Sequence, residues 1–241
     1  MTPSEQRQLQ TPAAAGPSWL TAALTIAWKD LMMERRTRQT LNVMVVFSLI
    51  TVVTYNFALD SDLSAAREVA AGLLWVTILL AGTLGLNRSF SAETESRAID
   101  SLLISPVDRS AIYMGKVLSN FLSILLVEII LLPVFAIFFN KPFWRLSVLV
   151  IVLLGTLGYV AAGVLVSSMA SQTRASYILI PILLLPLALP VVLSAARATA
   201  ALVNPQLPPF SEVQLSYVLV IVYDLLMFVA GFLTYNYVVE E

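Results

Sequence analysis

The chain has 241 residues, of which 59% are apolar and 12% are charged, and its mean hydropathy is +0.86. Soluble domains carry about 25% charged residues, so this composition predicts a protein that crosses a membrane several times. The net charge of −1 argues against nucleic acid as a partner, and the lack of Cys and His excludes disulfides, thiolate metal sites and histidine ligands in this chain.

The first 38 residues divide into a tail and a helix. Residues 1–17 are polar and rich in proline and alanine, with no basic-then-apolar signal pattern, and predict a disordered tail. Residues 18–38 have the spacing of an amphipathic helix. Its apolar face holds Leu20, Leu24, Ala27, Trp28 and Leu31, and its polar face holds Thr21, Thr25, Lys29 and Arg36. We expect it to lie along the inner membrane surface with Trp19 and Trp28 at headgroup depth; the alternative is a cytoplasmic extension of the first span.

Six windows of the remaining chain are long and apolar enough to cross a bilayer, which needs about 20 residues per helix. They cover approximately residues 40–59, 69–87, 111–139, 146–170, 177–195 and 214–238. The third window is long enough to tilt or to project from the membrane. The sequence therefore predicts an all-α membrane protein with six transmembrane helices, forming a single transmembrane domain over residues 39–241.

The cations predict the orientation of these spans. If the N-terminus is cytoplasmic, the segments inside hold Arg7, Lys29, Arg35, Arg36, Arg38, Arg88, Arg97, Arg109, Lys116 and Arg174. The outside loops then hold Arg67, Lys141, Arg145 and Arg197. Because cytoplasmic loops carry the excess of Lys and Arg, we expect both termini in the cytoplasm.

A polar insert separates the second and third windows, at residues 87–116. Ser91 is placed to cap a short helix whose first turn carries Glu93 and Glu95, the side of the helix dipole that favours carboxylates. Ile99, Leu102 and Leu103 then follow at the spacing of an apolar helix stripe.

A second helix start follows within the insert. Ser105 is a candidate cap, Pro106 takes the first helical position, and Asp108 comes three residues after the cap. A helix stop and restart would form an elbow, in which a short surface helix over about 89–105 is joined rigidly to the third span. Such an elbow suits the docking of a partner protein; the alternative is a solvated loop.

Two carboxylates fall inside predicted spans. Glu128 lies in the third span, where a charge costs about 2.5–3.5 kcal/mol on insertion scales, so we expect it to face protein or water or to be protonated. Its role is either functional, in the transport path or a subunit interface, or a structural hydrogen bond between helices. The same two interpretations apply to Asp224 in the sixth span, whose depth in the membrane the sequence defines less precisely.

Prolines and glycines mark the later spans. Pro181, Pro186 and Pro190 fall in the fifth span and predict either one kinked helix, which we favour, or a broken helix that lines a cavity. The loop at 197–213 lies outside and has room for a short interfacial helix over 197–203. Glycines in the second and fourth spans predict close helix contacts; they are Gly82, Gly85, Gly155, Gly158 and Gly163.

The insert carries the string R-x-F-x-x-E-x-E…L-L-x-S-P-V-D-R-S-A-I-Y-x-G-K, from Arg88 to Lys116. This string resembles the heme exporter protein B family, the permease subunit of the bacterial cytochrome c maturation system and a member of the ABC-2 type of ATP-binding-cassette exporters. The six-span layout from about residue 20 to 240 is similar as well. The resemblance implies that the insert is a coupling helix, with Glu93, Glu95, Arg97, Asp100, Pro106, Asp108 and Arg109 at or near the contact with an ATPase.

The resemblance also implies the partners: a separate cytoplasmic ATPase subunit, a second copy of this chain and other cytochrome c maturation subunits in the bacterial inner membrane. Heme would be a substrate of the complex and not a cofactor of this chain. Two alternatives stay open, a scaffold that remodels a heme-handling complex without transport, and an ABC-2 permease for a drug or a lipid-linked glycan. An intramembrane enzyme is least favoured, because Glu128 and Asp224 form no evident acid–base pair.

Overall fold

The computed structural model describes residues 18–59, 63–96, 108–170 and 176–238. Every regular element in these ranges is a helix. The helices are α1 (Trp19–Thr37), α2 (Gln39–Ala58), α3 (Leu63–Ser96), α4 (Arg109–Phe139), α5 (Leu146–Ala170), α6 (Ser176–Leu202) and α7 (Phe210–Val238). The predicted tail at 1–17 lies outside the described residues.

Helices α2 to α7 are each long and apolar enough to cross a membrane, which confirms the predicted all-α fold with six spans. The protein is therefore a multi-pass membrane protein. The observed spans differ from the predicted windows mainly at their ends; the second runs over Ala66–Ser91 and the fifth over Tyr177–Leu202. The second span extends past its window at both ends and the fifth only at its C-terminal end, because the helical backbone continues beyond the apolar segment.

The fifth span is one continuous helix that contains Pro181, Pro186 and Pro190, as the favoured interpretation predicts. The interfacial helix predicted over 197–203 is wrong, because α6 runs through this segment to Leu202. Five alanines between 195 and 201 give the segment a strong helix propensity, which lets α6 extend past the apolar window.

Helix α5 occupies the centre of the bundle and has the largest buried share of the six spans. It packs against α6, α7 and α4, while α3 packs against α6 and α2. Gly155 permits close contact, because a Cβ there would overlap the ring of Trp75 in α3. The Trp75 indole N–H donates to Thr199 Oγ1 in α6 at 3.0 Å. This hydrogen bond satisfies the buried indole at the point where α3, α5 and α6 meet.

Helix α1 is separate from the first span. Arg38 has φ 53°, a left-handed conformation that ends α1 and precedes α2, so the alternative of one continuous helix is wrong. The α1 and α2 axes therefore part at Arg38. Glu34 bridges the break, since its Oε1 accepts the Leu41 backbone N–H at 2.8 Å. Instead of continuing the first span, α1 packs along α4.

The alternation of spans predicts that the C-terminal end of α3 and the N-terminal end of α7 lie on opposite sides of the membrane. Single cysteines at Ser96 and Ser211, introduced into this naturally Cys-free chain, should react with a membrane-impermeant maleimide from opposite sides. We expect Ser211→Cys to label in intact cells and Ser96→Cys only after the inner face is opened. Labelling of both from the same side contradicts the six-span arrangement.

A candidate coupling site where the N-terminal helix meets the third span

The described part of the polar insert resumes at Asp108, which caps α4. Its φ of −60° and ψ of 128° are not helical, and its Oδ1 accepts the backbone N–H of Ser110 at 2.9 Å. The Ser110 hydroxyl and this N–H together hold the pKa of Asp108 below its usual value. The prediction that Asp108 stands three residues inside a helix is therefore wrong, because this carboxylate is itself the cap.

The cap is linked to the N-terminus of α1. The Trp19 indole N–H donates to Ser110 Oγ at 2.7 Å, and the Ser110 hydroxyl donates to Asp108 Oδ1 at 2.7 Å. Trp19 also contacts Phe232 of α7, with ring centroids 6.0 Å apart. The Trp19 ring therefore packs against the bundle, with Ser110 satisfying its indole N–H, while its predicted headgroup depth stays a prediction. Trp28 is 67% exposed, as a residue in contact with lipid would be.

Small residues allow α1 to approach α4 closely. Ala22, Ala23 and Ala111 form a buried cluster beside Trp19. A Cβ at Gly115 would lie 2.8 Å from the Ala23 carbonyl oxygen, so no larger residue fits there without moving α1. The predicted apolar face is thus divided, since Ala27 is buried against the bundle while Leu20, Leu24 and Trp28 remain exposed.

A buried ion pair completes the contact between α1 and α4. Lys116 is 2% exposed, and its Nζ lies 2.9 Å from Asp30 Oδ2. The other oxygen, Oδ1, lies 3.0 Å from Lys29 Nζ, whose side chain is 39% exposed. A buried ammonium without a partner is strongly destabilising, so Asp30 fixes α1 at this height along α4. We call the contact made by Trp19, Asp30, Ser110, Gly115 and Lys116 the α1–α4 clamp.

Tyr113 connects the clamp to the bundle interior. Its ring is fully buried, and its hydroxyl donates to the Ala161 carbonyl of α5 at 3.1 Å and lies 3.4 Å from the Met227 carbonyl oxygen of α7. A Cβ at Gly231 would overlap this ring. The first two turns of α4 therefore contact α1 on one side and α5 and α7 on another.

The rest of the predicted insert is only partly described. Helix α3 continues through Ser96, so Ser91 lies inside a helix, and the prediction that it caps a new one is wrong. Between Gly85 and Ser96 the sequence has no proline or glycine that would stop α3. Glu93 and Glu95 lie in the last two turns of α3. Arg97, Asp100 and Pro106 lie outside the described residues, so the elbow and the coupling contact stay predictions.

Glu128 is 2% exposed and faces protein, as its position in the third span requires. Thr156 of α5 donates its hydroxyl to Glu128 Oε1 at 2.5 Å, which supplies the partner expected for a structural hydrogen bond. Oε2 is buried with no hydrogen-bond partner among the described residues. A functional role for this second oxygen stays a prediction.

Asp224 lies on the opposite side of α5 from Glu128. It is 7% exposed, and its Oδ1 packs so closely on Gly158 that a Cβ there would overlap it. This oxygen too has no hydrogen-bond partner within the part of the chain that the structure describes. Glu128 and Asp224 therefore contact the central helix separately and do not form a catalytic pair. The described residues contain no group of three Asp or Glu side chains arranged to hold a metal ion.

Asp30 and Ser110 are the clamp residues that sequence reasoning missed. Lys116 could have indicated the ion pair, because it stands at the start of an apolar segment. An ammonium buried there needs a carboxylate at the same depth. The sequence does not specify which acid supplies it. Asp30 is 86 positions away and adjoins Lys29, an obvious local partner.

Comparison with known proteins places these features in a family. A family model described as CcmB protein matches residues 21–231, which include α1 from its third residue and all six spans except the last residues of α7. The chain is 27% identical over 185 residues to heme exporter protein B of Bradyrhizobium diazoefficiens, covering 76% of this chain and 83% of the relative. It is 26% identical over 180 residues to heme exporter protein B of Pseudomonas aeruginosa, covering 74% and 80%.

The clamp predicts a strong energetic coupling between Lys116 and Asp30. Asp30→Asn leaves the buried ammonium without its carboxylate and should destabilise the protein by about 3 kcal/mol. The double variant, which adds Lys116→Met to Asp30→Asn, should recover much of the lost stability, because no buried charge then remains without a counter-ion. Thermal unfolding in detergent measures these effects. Lys29→Gln is the matched control, and it should change stability by no more than about 0.5 kcal/mol, since the Lys29 side chain is 39% exposed and its charge is solvated. Additive effects of Asp30→Asn and Lys116→Met would contradict the buried pair.

Proposed function

The chain belongs to the CcmB protein family, and from this membership we propose that it is the permease subunit of an ABC-2-type transporter that exports or handles heme in cytochrome c biogenesis. The match over 21–231 supports the proposal, because it covers the six spans apart from the last residues of α7, together with the described parts of the polar insert. The relatives' name, heme exporter protein B, is the basis for proposing heme as the substrate. We place the protein in the bacterial inner membrane with both termini in the cytoplasm.

The proposal requires ATP hydrolysis on a separate subunit. The sequence contains no G-x-x-x-x-G-K-[ST] motif for binding nucleotide phosphates. The Gly115-Lys116 pair instead packs against α1 and forms the ion pair with Asp30. Six spans are half of the twelve usual for such transporters, so a second copy of this chain is expected. We propose no enzymatic activity for the chain itself.

We propose that the insert transmits movement from the ATPase. The insert is joined at one end to the last turn of α3 and at the other to Asp108, which caps α4. The first turn of α4 is part of the clamp, because Ser110 accepts the Trp19 indole N–H. A displacement of the insert would therefore move α1 and the start of α4 together, and Tyr113 would pass the displacement to α5 and α7. Glu93, Glu95, Arg97, Asp100, Pro106, Asp108 and Arg109 are the proposed residues at or near the ATPase contact.

A scaffold role is the second candidate function. The chain has no His or Cys, the residues that most often bind heme iron, so heme would be held by other cytochrome c maturation subunits of the complex. In that case the permease would remodel the complex mechanically without passing heme through its own bundle. Heme uptake by vesicles that contain the purified complex distinguishes transport from remodelling.

Charge reversal in the insert tests the coupling role. Glu93→Lys and Arg109→Glu should each weaken ATPase association or nucleotide-dependent activity by at least about tenfold, about 1.4 kcal/mol, because like charges then meet at the contact. Copurification of the ATPase and its hydrolysis rate are the measurements. Glu212→Lys and Arg197→Glu are matched controls at the opposite end of the bundle and should behave as wild type. Normal complex yield and coupling in both insert reversals would contradict the coupling role.

Substitution of Glu128 tests whether its ionisable group takes part in the cycle. Glu128→Gln keeps an acceptor for the Thr156 hydroxyl, so the protein should assemble normally, whereas Glu128→Leu leaves that hydroxyl unpaired and should cost about 1–3 kcal/mol. We expect the Gln variant to impair cytochrome c maturation nearly as much as the Leu variant. Thr156→Val is the control for loss of the hydrogen bond alone. Full maturation with Leu at normal protein level would show that the carboxylate has no required role.

A further inference from the structure

A polar pocket of about 120 Å³ opens at the α1 end of the bundle, where α1, α2, α3 and α4 meet. The charges that line it balance, because Lys29 and Arg88 stand against Asp30 and Glu34. A balanced lining gives an ion no net attraction, and the volume is enough for several water molecules. Water is therefore the occupant that fits this pocket.

The pocket extends along α4 into the third span. Its lining there consists of Ser119, Asn120 and Ser123. Each of these side chains donates a hydrogen bond to a carbonyl group about one turn back in the same helix. Their hydroxyl and amide oxygens can still bind water. Ser123 is fourteen residues after Arg109, where α4 begins, so the pocket reaches about 21 Å along this helix.

Glu128 lies beyond the pocket on the same side of α4. Asn120, Ile124 and Glu128 are four residues apart, so their side chains follow one another along one face of the helix. Asn120 lines the pocket, and Glu128 lies about 12 Å further along the helix axis. Ile124 is 3% exposed and stands between them. A single buried apolar side chain of α4 therefore separates the pocket from the carboxylate.

Helix α2 shows the same order of side chains. Thr40, Met44 and Ser48 belong to its buried face at a spacing of four residues. Thr40 lines the pocket, whereas Ser48 lies deeper, beside Val127 of α4. Met44 is 1% exposed and packs on α3 at Gly85, where a Cβ would overlap its sulfur. Met44 and the isoleucine of α4 thus form an apolar layer below the pocket.

Two buried oxygens beyond this layer, Glu128 Oε2 and the Ser48 hydroxyl, have no hydrogen-bond partner within the described ranges. Buried polar atoms that lack a protein partner are usually satisfied by water where it can enter. Toward the opposite end of the bundle, the buried residues of α4 from Leu131 to Phe139 are all apolar. The buried residues of α5 between Thr156 and that end are apolar as well. On these two helices, a polar lining leads toward Glu128 from the α1 end only.

We propose that water reaches Glu128 from the α1 end alone, through the polar pocket, and that Ile124 and Met44 form the barrier that closes this route. The barrier is one side chain thick on each helix, so a small movement of α4 against α2 would open it. In the orientation proposed above, Glu128 would then exchange protons with the cytoplasm and not with the outer side. This inference concerns access to the carboxylate and holds whether or not the complex transports heme.

Single cysteines in this Cys-free chain test the pocket in native membranes, with a membrane-impermeant methanethiosulfonate as the probe. The reagent modifies the thiolate, which forms in water and not in hydrocarbon. Ser123→Cys should react at least about tenfold faster than Leu126→Cys in inside-out vesicles, and it should not react in right-side-out vesicles. Leu126 is the matched control, because it lies three residues further along α4 and is 48% exposed on the outside of the bundle. Equal rates at the two positions would show that the pocket is dry and would overturn the proposal.

The barrier is tested with the same reagent at Glu128→Cys, which should react slowly from both faces. Adding Ile124→Ala should accelerate the modification at least about tenfold from the inner face and leave the outer face unreactive, because water then reaches the thiol. Leu131→Ala is the matched control, since it shortens a buried side chain of equal size on the other side of residue 128, and it should change neither rate.

The unfolding temperature in detergent shows that each barrier variant is folded, and Ile124→Val, which removes one methylene group, should act in the same direction more weakly. Modification of Glu128→Cys from the outer face would overturn the one-sided route. Equal acceleration by Ile124→Ala and Leu131→Ala would overturn the assignment of the barrier.

Discussion

Lys116 carries an ammonium into the entrance of the third span, where only 2% of the residue is exposed. Burial of a charge costs several kcal/mol unless a counter-ion is held nearby, so Asp30 has to stay within contact of it. This requirement places α1 beside α4 instead of in line with the first span. The absent side chain at Gly115 and the alanines of both helices make the approach sterically feasible, and Arg38 supplies the left-handed turn that redirects the chain into α2.

The same constraint links the surface of the protein to its centre. The clamp lies directly after the polar insert, and Tyr113, between Ser110 and Lys116, reaches carbonyl groups of α5 and α7. Under the proposed coupling role, the insert would act on this assembly and not on the third span alone. The carboxylates of Glu128 and Asp224 then contact α5 on two sides, at Thr156 and Gly158, so a shift of α4 or α7 against α5 would change their surroundings.

The sequence predicted the long helices, which depend on the composition of each segment, and the structure confirms the six spans. The length of the apolar segments predicted the six spans, and amphipathic spacing predicted the helix over 18–38, because these patterns depend only on residues within each helix. Long-range partners were not predictable in this way. No residue close to Lys116 in the sequence points to Asp30, and no pattern around Trp19 points to Ser110 as the acceptor of its indole N–H. Helix ends were misjudged at Ser91 and at 197–203, where strong helix formers extend a span beyond its apolar segment.

Disulfide cross-linking of α1 to α4 tests most directly whether the clamp moves as one body. The chain lacks cysteine, so Ala22→Cys with Ala111→Cys offers a single specific pair within the buried alanine cluster. We predict rapid cross-linking in native membranes, with nucleotide-dependent activity of the complex retained after oxidation. Failure to cross-link would contradict the packing of α1 on α4. Efficient cross-linking that abolishes activity, and its recovery on reduction, would show that the two helices must separate during the cycle.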